Sequence, residues 1–104
     1  MKNLLNPISP GEVLLNEFLT PLNISQNKLG RDIDVPITRI NEIVNNNRSV
    51  TVDTAMRLSR YFGTTPEVWL NLQQQYDLEI ARRKLKKVID KKIKPLRRLE
   101  KIAA

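Results

Sequence analysis

Between Gln26 and Arg48 the chain concentrates the side chains best suited to recognising another molecule. Thr38 offers a hydroxyl to a base edge and a methyl group to thymine. Arg39 reaches guanine or a phosphate, and Asn41 matches the donor and acceptor of adenine. Gln26 opens a helix, where its side chain and the N-terminal amides can hold a phosphate. Asn45, Asn47 and Arg48 come after the recognition stretch, as candidates for contacts to a nucleic-acid backbone. Glu42 lies among them, but it accepts only from a cytosine amino group and repels phosphate, so it is the weak member. Each also has a plainer role. Gln26 and Asn41 can be solvated polar residues. Arg39 can pair with Glu42 at i, i+3, for roughly a few tenths of a kcal/mol. Turn chemistry already accounts for at least one of the asparagines.

Other chemistry is poorly supplied. The 104 residues include no histidine and no cysteine. That removes the usual general bases, zinc ligands and thiol nucleophiles. Glu12 and Glu17 do not share a helix face, and no glycine-rich phosphate loop is present. The chain reads as a binding protein rather than an enzyme, with no catalytic residue, metal or cofactor expected. The lack of cysteine fits a reducing cytoplasm. No apolar run approaches the roughly 20 residues that span a bilayer. Leu4 and Leu5 are followed at once by Asn6 and Pro7, which is unlike a signal peptide. A cytoplasmic protein with no membrane partner is expected.

Two helices must position the recognition residues. The first is Gln26 to Ile33, with Ser25 as N-cap and Ile24 spaced to staple onto Leu29. Gly30 lies in its middle, at roughly 1 kcal/mol relative to Ala, which implies a helix crossing close by. The second begins at Pro36, a residue suited to a first helical position. Ile40, Ile43 and Val44 form its buried stripe, so Ile37, Thr38, Asn41 and Glu42 face outward with Arg39 on the flank. Asp34 stands at the sharp turn between them and tolerates a left-handed backbone. Such a pair is either an ordinary helical hairpin or a helix-turn-helix, whose second helix enters the DNA major groove.

The flanking elements are also helical. Ser9-Pro10-Gly11-Glu12 is a capping box, and the helix it starts continues through Leu14, Leu15, Phe18 and Leu19 until Thr20-Pro21 ends it. Asparagines after Val44 form a polar turn in which one takes the left-handed form that glycine usually supplies. Thr51 caps a helix from Val52 to Phe62, closed by Gly63. Thr65-Pro66-Glu67 starts a last helix, which nothing stops before Pro95. Trp69, Leu70 and Tyr76 along it are either core or an apolar dimer surface. The fold class is therefore all-α: five helices in residues 1–81, then a basic helical extension in residues 82–104.

The net charge of +7 is unevenly spread. Residues 1–75 balance seven basic against seven acidic residues, while residues 76–104 hold eleven against four. Leu85, Val88, Ile89, Ile93, Leu96 and Leu99 punctuate the basic tail at roughly helical spacing. It reads as a solvated amphipathic helix, a protein-binding segment or an arm that tracks phosphates.

The stretches PGEVLLNEFL, ISQNKL, VPITRINEI, DTAMRLSRYFGTTPEVWLNLQ and YDLE span about three quarters of the chain. In them the chain resembles the HigA/VapI-type antitoxins of toxin–antitoxin systems, within the phage-repressor-like (XRE-type) helix-turn-helix class. The resemblance implies a five-helix, lambda-repressor-like DNA-binding domain, a homodimer on a palindromic double-stranded operator. It also implies repression of its own operon and neutralisation of a ribonuclease toxin that acts on messenger RNA. It places DNA contacts at Gln26, Ile37, Thr38, Arg39 and Asn41, with a backbone contact near Asn45 or Arg48. Ser9 stands where the family usually has His, and Asp34 and Asn46 where it often has Gly. The extension after Ala81 is the least family-like part. A dimer surface is expected at Trp69, Leu72, Gln73 and Tyr76, because the apolar stretch there exceeds what a small domain can cover. Two other functions fit the residues: a free-standing phage-type repressor, and an interaction module that no longer binds DNA.

Overall fold

The computed structural model describes residues 7–96, and these contain helices and turns but no strand. Residues 1–6, whose sequence has no clear pattern and reads as frayed or extended, and Leu99 with the rest of residues 97–104 lie outside them. Five helices follow in order: α1, Pro10–Val13, running on as a π-helical stretch, Leu14–Leu19; α2, Gln26–Ile33; α3, Ile37–Val44; α4, Val52–Phe62; and α5, Pro66–Lys92.

α1 starts as its sequence dictates. Ser9 Oγ accepts from the Glu12 N–H at 3.1 Å, with Pro10 in the first turn. It then widens: the Thr20 N–H reaches back five residues to the Leu15 carbonyl at 2.9 Å. The fully buried Leu14 and Leu19 are also five residues apart. An α-helix, at 3.6 residues per turn, would set them well apart around its axis. The wider turn brings both to the core. The expected stop at Thr20-Pro21 is also corrected, since Thr20 stays right-handed, at φ −65° and ψ −51°. The stop comes at Asn23, φ 56°. Its N–H bonds Thr20, and the Ile24 N–H bonds the Leu19 carbonyl at 2.9 Å, the paired closure of a Schellman motif.

The core gathers Leu14, Leu19, Leu29, Ile40, Ile43, Leu58 and Trp69, all at most 2% exposed. Phe18 stacks at a tilt between Phe62 and Trp69, with ring centroids 4.7 and 5.3 Å away. Two glycines set how closely the helices approach. A Cβ on Gly11 would lie 2.0 Å from the Ile43 carbonyl oxygen, so α1 rests directly on the α3 backbone. A Cβ on Gly30 would lie 2.7 Å from the Val35 carbonyl oxygen, which is the close crossing expected there.

α4 is capped by Thr51, whose side chain accepts from the Thr54 N–H, and ends at the left-handed Gly63. α5 starts at the Thr65 cap and runs unbroken across residue 81 to Lys92, a rod about 40 Å long at 1.5 Å per residue. Ile93 is extended, and Pro95 follows two residues later. From Arg82 to Leu96 every residue is exposed, so the last third of α5 leaves the core behind.

Candidate nucleic-acid interface

α2 is built as expected. Ser25 Oγ accepts from the Lys28 N–H at 3.0 Å, and Gln26 stands half-buried in the first helical position. Asp34 takes the left-handed conformation, φ 59° and ψ 49°. The Val35 N–H then bonds the Gly30 carbonyl at 2.9 Å. Arg57 of α4 locks this turn from outside, donating through Nη1 to the carbonyls of Ile33 at 2.9 Å and Asp34 at 3.3 Å. Those carbonyls belong to the open C-terminal end of α2, where a cation also suits the helix dipole.

α3 begins one residue later than its sequence suggests. Pro36 has an extended ψ of 142° and forms the cap, while its carbonyl accepts from the N–H groups of Arg39 and Ile40. The tight turn from Asp34 needs that extended residue before the chain can coil. Ile40 and Ile43 are buried, and Ile37, Thr38, Asn41 and Asn45 are exposed. Arg39 and Glu42 are half-buried on the flanks.

Of the two roles open to Arg39, the pairing with Glu42 does not form. Glu42 takes Arg48, whose Nε lies 2.8 Å from Oε1. Arg39 has no side-chain hydrogen bond or ion pair among the described residues. The loop after α3 makes the new pair by folding back. Asn46 is left-handed at φ 62°, and the Asn47 N–H bonds the Glu42 carbonyl at 2.7 Å. Gln26, Ile37, Thr38, Arg39, Asn41, Asn45 and Arg48 thus belong to one motif: the start of α2, the open face of α3 and the loop behind it.

Residues 15–69 match the helix-turn-helix family model. Virulence-associated protein I of Dichelobacter nodosus is 48% identical over 80 residues, which cover 77% of this chain and 74% of that protein. Among solved structures, a HigA-family addiction module antidote protein from Coxiella burnetii shares 45% identity at a TM-score of 0.81. The Pseudomonas aeruginosa antitoxin HigA with the higBA promoter shares 42% at a TM-score of 0.84. Each alignment covers 88% of this chain and 99% of the other. The chain belongs to the HigA/VapI-type helix-turn-helix family. The family-model match ends at Trp69, the one buried residue of α5, so it takes in the motif and the core behind it.

Of the four expected dimer residues, one is buried and three are half-buried. Trp69 has no exposed area, and its Nε1 donates to Thr64 Oγ1 at 2.9 Å, so it packs as a core residue. Leu72 packs half-buried against the core. Gln73 ties α5 to the α3–α4 loop, accepting from the Val50 N–H at 2.8 Å and donating to Asp77 at 2.9 Å. Tyr76 lines a cavity with Asn46, Asn47, Arg48 and Pro10. α5 leaves other apolar residues exposed, including Leu78, Leu85 and Val88.

Sequence reasoning missed two groups that fix the motif. Arg57 closes the turn from 23 residues away in sequence, which no local pattern announces. On the outer face of α2, Asp32 accepts from Lys28 at 2.7 Å and from the Tyr61 hydroxyl. The hydrogen bonds from Lys28, then Tyr61, hold the Asp32 carboxyl below its ordinary value. The same carboxylate raises Lys28 and Tyr61 above theirs. The Lys28–Asp32 half is visible as an i, i+4 pair, but Tyr61 joins only through the fold.

Proposed function

We propose that this chain is a DNA-binding antitoxin that represses its own operon. A homodimer binds a two-fold operator near its own promoter through α3. It also neutralises a toxin, a ribonuclease acting on messenger RNA. In this reading it is a cytoplasmic binding protein, not an enzyme. No helix among the described residues is long and apolar enough to cross a membrane.

The observation that carries the reading is the open face of α3. Thr38 and Asn41 are exposed there beside Arg39, which has no side-chain partner among the described residues, on a helix anchored by Ile40 and Ile43. These side chains have the donors and acceptors that base edges require in the major groove. The resemblance to an antitoxin whose structure includes promoter DNA supports it. For the dimer we propose a surface that begins at Leu72, Gln73 and Tyr76 and extends onto the adjoining apolar groove. That groove, about 410 Å³, is lined by Val50, Leu70, Leu78 and Ala81 among others.

The reading is tested by titrating the chain against a duplex from its own upstream region and a scrambled duplex of equal length, at fixed salt. Specific binding tighter by about a thousandfold or more is expected. Equal affinity for both would leave only an interaction module. Sedimentation at tens of micromolar checks the dimer, and a strictly monomeric species would remove it.

A further inference from the structure

Arg48 meets Glu42 through Nε alone, at 2.8 Å. Among the described residues its two Nη groups have no hydrogen-bond partner, so the fork of the guanidinium is uncommitted. Both side chains are about half exposed, 48% for Arg48 and 45% for Glu42. The backbone brings them together independently of the ion pair. Left-handed Asn46 turns the chain, and the Asn47 N–H closes on the Glu42 carbonyl.

We propose that Glu42 is a positioning residue for DNA binding: it holds the Nε edge of Arg48 so that the Nη fork is presented to a backbone phosphate. This rests on the DNA-binding reading above. A guanidinium fork matches two phosphate oxygens at once, and a side chain already held in its bound orientation loses less freedom on binding. An acid beside a phosphate otherwise repels it. Simple electrostatics therefore gives Glu42→Ala tighter binding, and orientation of Arg48 gives it weaker binding. The two accounts differ in sign.

The experiment measures affinity of the full chain for its upstream duplex and a scrambled duplex, across a salt series. The variants are Glu42→Ala, Glu42→Gln, Arg48→Ala and the double Ala variant, each with thermal unfolding to verify the fold. Glu42→Ala is expected to weaken binding to both duplexes by roughly tenfold to a hundredfold, the effect of one charge-assisted hydrogen bond. It should also flatten the slope of log affinity against log salt by about 0.9 for each phosphate that Arg48 no longer neutralises. Arg48→Ala should do the same, and the double variant should bind no more weakly than Arg48→Ala. Glu42→Gln keeps an oxygen that accepts from Nε and should restore both affinity and slope. Tighter binding by Glu42→Ala, or a Glu42→Ala loss that persists without Arg48, would overturn the proposal. A loss confined to the upstream duplex would also overturn it, because Glu42 would then be reading a base. If the unaltered protein shows no preference for its own duplex, the DNA reading itself fails and this proposal with it.

Discussion

In the proposed reading Arg39 reads sequence, because among the described residues no side chain pairs with it. Its neighbour Glu42, the obvious i, i+3 partner, is taken by Arg48. A bidentate contact from Arg to a base contributes about 1–3 kcal/mol of discrimination. Arg39→Ala is therefore expected to weaken operator binding by that amount while barely changing affinity for scrambled DNA. Competitive titration of both duplexes checks this, and equal losses on the two would mean that Arg39 meets only phosphate. The outward set on α3 was legible in the sequence, because Ile40 and Ile43 fix the helix phase and the rest follows from 3.6 residues per turn. Left-handed Asp34 and Asn46 were legible too, since each follows a helix at a position that needs such a backbone. The Glu42–Arg48 pair was not. It depends on the direction in which Asn46 sends the loop, and turn chemistry alone does not state a direction.

At the scale of the elements, the decisive contact is backbone on backbone. α1 lies against the end of α3 with only a hydrogen on Gly11 between them. A methyl group there meets the carbonyl of Ile43, which no side-chain rotation can move. Gly11→Ala is expected to destabilise the domain by about 1–3 kcal/mol, as overpacked cores generally do. At about 4–8 °C per kcal/mol for a domain of this size, thermal unfolding will resolve it easily. An unchanged Tm would mean that α1 can lift from α3 without loss. The sequence disclosed the start of α1, because Ser9, Pro10 and Glu12 form a local capping pattern. It did not disclose why residue 11 is Gly, since the reason lies 32 positions further along at Ile43. The π-helical stretch was hidden for a similar reason. Leu14 and Leu19 look like members of a broad apolar face until the core requires both on one side. Asn23 carries a weaker local signal than Pro21, which by itself accounts for an end to the helix.

For the whole molecule, charge is the organising quantity. The part that carries α3 is neutral, and seven of the eleven basic residues after residue 75 lie on the outer reach of α5, where every side chain from Arg82 to Lys92 is exposed. A neutral reading domain gains most from cations brought by a neighbouring element, and on that ground we propose the arm among the three readings of the tail. Truncation after Arg83 is then expected to flatten the salt slope by about two, for two or three phosphates met, with little change in operator preference. A slope unaltered by truncation would leave α5 as a solvated helix. The tail's basic character was plain from composition, but its direction relative to the DNA would be a property of the proposed dimer. That dimer is also what the central claim requires: α3 from each of two copies reading a two-fold site. Hydroxyl-radical footprinting of the chain's own upstream region measures it directly. Two symmetric protected patches are expected, centred one helical turn apart, roughly 34–36 Å along the duplex. A single patch, or uniform protection that scrambled DNA shows equally, would contradict the account.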